Sequence, residues 1–295
     1  MLRINCLLIC FLLGIVFQLK AQITKEFKVD QTRGYGLVHL DFNVYKGVTH
    51  IKKGMGASPV HIFSKLSKVN ILPSFSQEIV SEVLYTQLVH RNVESENLGK
   101  SLSYKLFSTT NEDFDHKWDI EMNSNFLYDL HLNFGIGKAY LDLSNLPVSN
   151  CIIKTASADV KLDYSKKIAN SVKMDTLMVT INMGSLDAKN INFSNAKEMF
   201  FEINYGTVDL FFSEPVSERI NIHTIVGAGK VSLELPAYDQ PFIIKVKSTP
   251  MCRTNIPKHL KDIGNKTYVS KNYKENAENL MTFTIDVSVG SVTIK

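Results

Sequence analysis

The sequence predicts an all-β protein: a stack of short strand coils, about six or seven in number, behind a β-rich lead-in. Three observations predict it. A phrase of alternating apolar residues broken by glycine recurs along the second half of the chain. The apolar residues change parity across that glycine. The residues just ahead of it are poor formers of hairpin turns.

The phrase reads LHLNFGIGKAYLDL over Leu130 to Leu143, FEINYGTVDL over Phe201 to Leu210, and FTIDVSVGSVTI over Phe283 to Ile294. Aligned on the small residue, its copies centre on Gly137, Ala158, Gly184, Gly206, Gly229 and Gly290. Steps of 21 to 26 residues separate the first five, which suits a solenoid coil. The last step is 61 residues. It holds an extra strand, Phe242 to Val246, and a polar insertion at about 247–280 with a short helix expected near Pro257 to Lys261.

Parity carries the argument further. Phe201, Ile203 and Tyr205 precede Gly206, whereas Val208 and Leu210 follow it. Val179, Ile181 and Met183 stand before Gly184, and Leu186 after it. Ile285, Val287 and Val289 stand before Gly290, and Val292 and Ile294 after it. Successive strand residues face opposite sides. Both halves can therefore face one interior only if the backbone turns a corner at the glycine, whose missing Cβ permits unusual dihedrals. Pro147, Pro215 and Pro236 fall where further bends would begin. An antiparallel β-sandwich is the alternative, but its hairpins usually carry Asn-Gly or Asp-Gly.

Upstream, Val38 to Val44 alternates as a strand, Gly47 to Ile51 and Val60 to Phe63 continue the pairing, and Trp118, Ile120 and Met122 alternate as another. Ser76 to Leu88 fits helix or strand. This region reads as a cap, because an open coil end exposes a strand edge and core. At the start, Met1 to Arg3 is basic and Ile4 to Leu19 uncharged and mostly apolar, with Ala21 following. That is the pattern of a secretory signal peptide. Lipidation at Cys10 is disfavoured by Ile9 ahead of it and by its place inside the apolar run. The division is a signal peptide at 1–21, a cap region at 22–125 and a β-solenoid at 126–295.

The full chain has 33 Lys+Arg against 29 Asp+Glu, and loss of Arg3 and Lys20 with the leader brings the two closer still. Such balance gives no electrostatic case for nucleic acid or an anionic membrane. Cys151 and Cys252 are the cysteines beyond the leader. In an oxidising compartment they could pair, or each could pack as a small hydrophobe. No Cys/His spacing for zinc, phosphate-binding glycine loop, HExxH or GxSxG motif is present.

No catalytic, cofactor or metal residues are therefore assigned. Asn111 to His116 clusters acids and a histidine without a calcium-loop spacing. His39, His131 and His223 fall at outward strand positions and read as surface residues. Asp142, Asp159, Asp163 and Asp209 lie near corners, where stacking could bring carboxylates together as glycoside hydrolysis requires. The better reading of them is solvent-facing residues alternating with core ones. Asp175 to Leu177 is similar to a short O-glycosylation signal of Bacteroidetes.

The stretch Leu130 to Leu143 and the later copies resemble the bacterial putative-adhesin and toast-rack domains of unknown function. Relatives of that group include the cell-wall-antibiotic-response proteins. The leader ending Lys20-Ala21-Gln22 resembles those of exported Bacteroidetes proteins. The resemblance covers about 126–295 and implies a single-stranded, right-handed β-solenoid, secretion, and no established enzyme activity. The 247–280 stretch departs from the plain repeat.

The expectation is an exported, non-enzymatic envelope or surface protein acting by contact, adhesin-like or scaffolding, in the periplasm or outer-membrane periphery. A periplasmic envelope-stress sensor and a carbohydrate-active β-helix enzyme are the alternatives. The expected partner is an envelope protein or glycan, or a second copy of the chain through a bare edge after Ser291 to Lys295.

Overall fold

The computed structural model describes residues 22–67, 72–90, 116–236 and 239–295. Residues 1–21, read as a signal peptide, and Asn111 to Asp115 of the acidic stretch lie outside the described residues. Within them the strands, in chain order, are β1 (Gln22–Lys28), β2 (Leu37–Lys53), β3 (Val60–Ser67), β4 (Ser74–Val80), β5 (Val83–His90) and β6 (Lys117–Met122). Then follow β7 (Leu127–Asp142), β8 (Val148–Asp163), β9 (Met174–Lys189), β10 (Ala196–Phe211) and β11 (Ile220–Glu234). The last are β12 (Phe242–Ser248), β13 (Cys252–Asn255), β14 (Lys261–Asp262), β15 (Thr267–Val269) and β16 (Met281–Ile294).

Seven long strands, β2, β7, β8, β9, β10, β11 and β16, pair side by side in that order, all parallel. Their connections force a bend. A straight 16-residue strand would run about 50 Å. The link from Asp142 to Val148 holds residues 143–147 only and reaches about 18 Å. Parallel neighbours in matched register require each strand to begin beside the start of the previous one. Each long strand therefore folds back on itself, and the copies stack as rungs.

The fold-back is at the small residue. Gly47, Gly137 and Ala158 are successive register partners, as are Gly184, Gly206, Gly229 and Gly290. All six glycines of this column have φ between 126° and 155°. A Cβ on Gly206 would lie 1.7 Å from the Gly184 carbonyl oxygen, so both backbone dihedral and close approach demand glycine. Ala158 does not take the positive φ. There the β8–β9 pairing breaks between Thr155 and Val160. The Asp159 carboxylate fills in, accepting hydrogen bonds from the Ser185 N–H (3.0 Å) and hydroxyl (2.9 Å).

Inward positions form columns through the stack. One runs Leu40, Leu130, Cys151, Leu177, Met199, Ile222 and Phe283, all buried. In β7 the buried residues are even-numbered before Gly137 and odd-numbered after it, the parity change made physical. Tyr205 and Val289, expected to face inward, instead stand 59% and 41% exposed, and Met183 is half-exposed. They precede the corner glycine directly, where the turn already breaks the alternation and the side chain projects from the vertex.

Both ends are covered. At the first rung, β5 pairs with the first half of β2 and β6 with the second. Strand β4 extends the first set and β3 and β1 the second. Ser76 to Leu88 is thus two antiparallel strands, turning at Ser81 and Glu82 with positive φ. Because β2 itself is a full rung paired with β7, the stack reaches upstream of residue 126.

At the other end, β12 and β13 pair with the first and second halves of β16. The edge expected to be bare is therefore occupied, and the basis for self-association through it is gone. The extra strand β12 supplies the first half of this cover and the 247–280 insertion the second through β13, with β15 and β14 pairing outward from β12. The helix expected near Pro257 to Lys261 is instead a turn closed by the Leu260 N–H on the Pro257 carbonyl. No helix among the described residues is long and apolar enough to cross a membrane.

Candidate functional site

Outward positions line up across rungs as inward ones do, because register is kept. One outward row ahead of the corner reads Tyr85, His39, Asp129, Asn150, Thr176 and Glu198 across β5, β2, β7, β8, β9 and β10. The next row reads Gln87, Asp41, His131, Ile152, Met178, Phe200 and His223, reaching β11.

These rows meet in a cluster. Asp129 and His131 are two apart on β7 and share a face, and His39 is the register partner of Asp129 on β2. His39 Nδ1 lies 2.8 Å from Asp129 Oδ2, and His131 Nε2 lies 3.5 Å from Asp129 Oδ1. The two imidazoles meet edge-on with centroids 4.6 Å apart. One donor atom from each of the three residues falls within 4.8 Å of the others. The Asn150 amide donates to Asp129 Oδ1 at 2.8 Å, and the Tyr85 ring flanks His39 at 5.4 Å. Side-chain exposures of 20%, 22% and 39% for His39, Asp129 and His131 make the cluster half-buried yet reachable.

Beside it lies an open groove of about 380 Å³, lined by His39, Asp41, Tyr85 and Gln87 and by β4 residues such as Glu78. Asp41 accepts from the amides of Gln87 (2.7 Å) and Asn43 (2.6 Å).

The corner carboxylates are differently disposed. Asp142 and Asp163 are register neighbours, but each is held by turn residues. Asp142 accepts from the Ser144 N–H and hydroxyl and from the Ser165 hydroxyl. Burial pushes its pKa up, yet these hydrogen bonds outweigh burial and hold it below the usual carboxylate value. A carboxyl so held does not serve as a general acid at neutral pH. Asp163 accepts from Asn190 at 2.8 Å. Asp159 serves the Ser185 corner, and Asp209 is flanked in register by Asp187 and Ser232.

Cys151 and Cys252 are free thiols. Cys151 is on β8 and Cys252 on β13 beside β16, with β9, β10 and β11 between. At about 4.8 Å per rung they stand far beyond disulfide reach. Burial pushes the Cys151 thiol up to about 12. The insertion that carries Cys252 forms a shallow depression of about 450 Å³ with Pro250, Met251, Arg253, Gly290 and Ser291.

Of the histidines read as surface residues, His223 stays so, stacked on Phe200 with centroids 5.1 Å apart. His39 and His131 converge on Asp129. Only the identities of Asp129 and His131 two residues apart on one strand signalled this locally. His39 is 90 residues from Asp129.

Residues 82–184 match the family model for the N-terminal domain of toast_rack, DUF2154. That span runs from the β4–β5 turn to the corner glycine of β9 and includes Asp129 and His131. Among solved structures, the chain is similar to a "putative cell adhesion protein" from Clostridium sporogenes: 16% identity, TM-score 0.48, with 93% of this chain and 99% of that one covered. It is also similar to a "putative adhesin" from Bacteroides fragilis, at 10% identity and TM-score 0.36, covering 94% and 98%. A third, from Parabacteroides distasonis, shows 11% identity and TM-score 0.37, covering 93% and 97%. No curated protein matches this chain.

Proposed function

We propose that this toast-rack-like protein is an exported, non-enzymatic component of the cell envelope or surface that acts by contact. The rung stack is then a right-handed β-solenoid of seven coils, on the order of 30 Å long. Residues 1–21 are its cleaved leader. Residues 22–125 are its cap region and also supply the first coil. The location that suits it is the periplasm or outer-membrane periphery.

The observation that carries this reading is the in-register stack itself. Its interior columns are filled by packed side chains, and its outward rows repeat regularly at the rung spacing. Such a body presents long arrays of side chains on a stiff frame, which suits recognition of an extended or repetitive partner. Of the carboxylates near the corners, Asp142, Asp159 and Asp163 are engaged by neighbouring Ser and Asn residues. One outward array is conspicuous for contact. Met183, Tyr205, Ala228 and Val289 are register neighbours along the corner, and Ile225 nearby is 52% exposed. Tyr205 and Val289 are exposed and Met183 and Ala228 half-buried, an apolar line framed by polar rows of the kind proteins use for binding.

The partner expected is an envelope protein or glycan. The test is recovery of partners from native cell envelopes on the purified protein, beside the variant Tyr205→Ser/Val289→Ser. The expected result is a partner retained by the wild type and lost from the variant. Nothing recovered by the wild type overturns the contact reading, and equal recovery by both overturns the assignment of the contact to this ridge. Release of reducing ends from envelope glycans would favour the enzyme alternative instead.

A further inference from the structure

We infer that His39, Asp129 and His131 form a binding site for a single first-row divalent transition ion, with Zn²⁺ as the reference ligand. Two imidazole nitrogens and one carboxylate oxygen are a donor set suited to zinc and its neighbours. Ca²⁺ and Mg²⁺ instead favour shells of oxygen alone.

The spacing fits. Zinc ligands stand about 2.0–2.2 Å from the metal, which puts neighbouring donors of a tetrahedron about 3.4 Å apart. The donor pair His39 Nδ1 and Asp129 Oδ2 lies at 2.8 Å, His131 Nε2 lies 3.5 Å from the other oxygen of the same carboxylate, and one ligand atom from each of the three residues lies within 4.8 Å of the others. An ion therefore requires side-chain adjustments of a fraction of an ångström to about one, with no change of backbone.

The frame is rigid. The three residues stand on adjacent strands in the middle of a ladder that β5 and β8 extend on either side. Asn150 orients the carboxylate by donating to Asp129 Oδ1, the outer-shell hydrogen bond that metal-ligating groups commonly carry. This leaves Oδ2 for the ion. Three protein ligands leave a coordination position for water or an incoming group. His39 also lines the groove bounded by Asp41, Tyr85 and Gln87, so the ion would sit at the wall of a surface where a partner could reach it.

The experiment is calorimetric titration of the purified protein with ZnCl2. Wild type is expected to bind one Zn²⁺ per chain. His39→Ala and His131→Ala should each bind at least ~100-fold more weakly, and Asn150→Ala about 10-fold more weakly. His223→Ala, a change to another outward histidine, should bind as wild type does. No saturable binding by wild type, or binding unchanged in His39→Ala and His131→Ala, overturns the inference. Should those variants fail to fold, imidazole NMR of the wild type decides. Zn²⁺ must move the His39 and His131 ring resonances, and shifts confined to other histidines overturn the site.

Discussion

At Gly206 two demands meet in one residue: φ of 150° and a neighbouring carbonyl oxygen 1.7 Å from where a Cβ would stand. Either alone would strain an alanine. Together they leave no relaxation except parting the rungs. Gly206→Ala should lose at least ~3 kcal/mol of stability, or fail to fold, in urea unfolding followed by circular dichroism. A loss below ~1 kcal/mol would show that the corner tolerates a side chain there. Ala158 marks the natural exception. It keeps negative φ at the cost of the local β8–β9 pairing, and Asp159 hydrogen-bonds the Ser185 N–H in compensation. Tyr205 marks another departure from the repeat. Alternation assigns it inward, but its neighbour turns the backbone before the side chain can enter the core.

Between one rung and the next, buried amide side chains act as latches. Asn170 accepts from the N–H groups of Val148 (3.1 Å) and Val172 (3.3 Å). It donates to the carbonyls of Val148 (2.6 Å) and Ser194 (3.1 Å). Gln240 repeats the arrangement near the C-terminal end, accepting from Val216 N–H and donating to the Pro241 and Asn279 carbonyls. A connection of a few residues leaves buried backbone groups without ladder partners, and the amide supplies both a donor and an acceptor to them. Asn170→Ala would orphan several of these at about 1–3 kcal/mol each. We expect a destabilisation of at least ~2 kcal/mol and faster amide exchange at Val148 and Val172. Unchanged exchange there would mean that water replaces the latch at no cost.

At the scale of the molecule, the strands of the described residues form one continuous sheet with its long-strand edges covered. What remains at the margins is short or polar: the two-residue β14, the four-residue β13, and the mostly exposed β1 and β4. Such edges resist strand addition. The same architecture separates the two cysteines, one inside a core column and one on the outer cover. In protein made without residues 1–21, a thiol reagent should label Cys252 alone in the native state and both cysteines after unfolding. Two reactive thiols in the native state, or none after unfolding without reductant, would contradict the arrangement.

The rungs from β7 onward, their corners and their inward columns were legible in the amino-acid order because they rest on local patterns, whereas the first rung, β2 with its corner at Gly47, was read only as part of a cap. Period-two alternation, a parity change and a glycine are all contained within some 15 residues, and copies such as those at Gly206 and Gly229 announce the stacking by repetition. Three things were decided only by tertiary structure. Strand β13 of the 247–280 insertion covers the second half of β16, although the insertion's polar composition looks like an ordinary loop. Tyr205 and Val289 face outward, although alternation turns them in. His39 meets Asp129 and His131, although 90 residues separate it from the first. The physical reason is common to all three. Local pattern sets which face a side chain takes within a rung. The register between distant strands, and the bend that ends each run of alternation, arise from pairings that no short stretch of sequence contains.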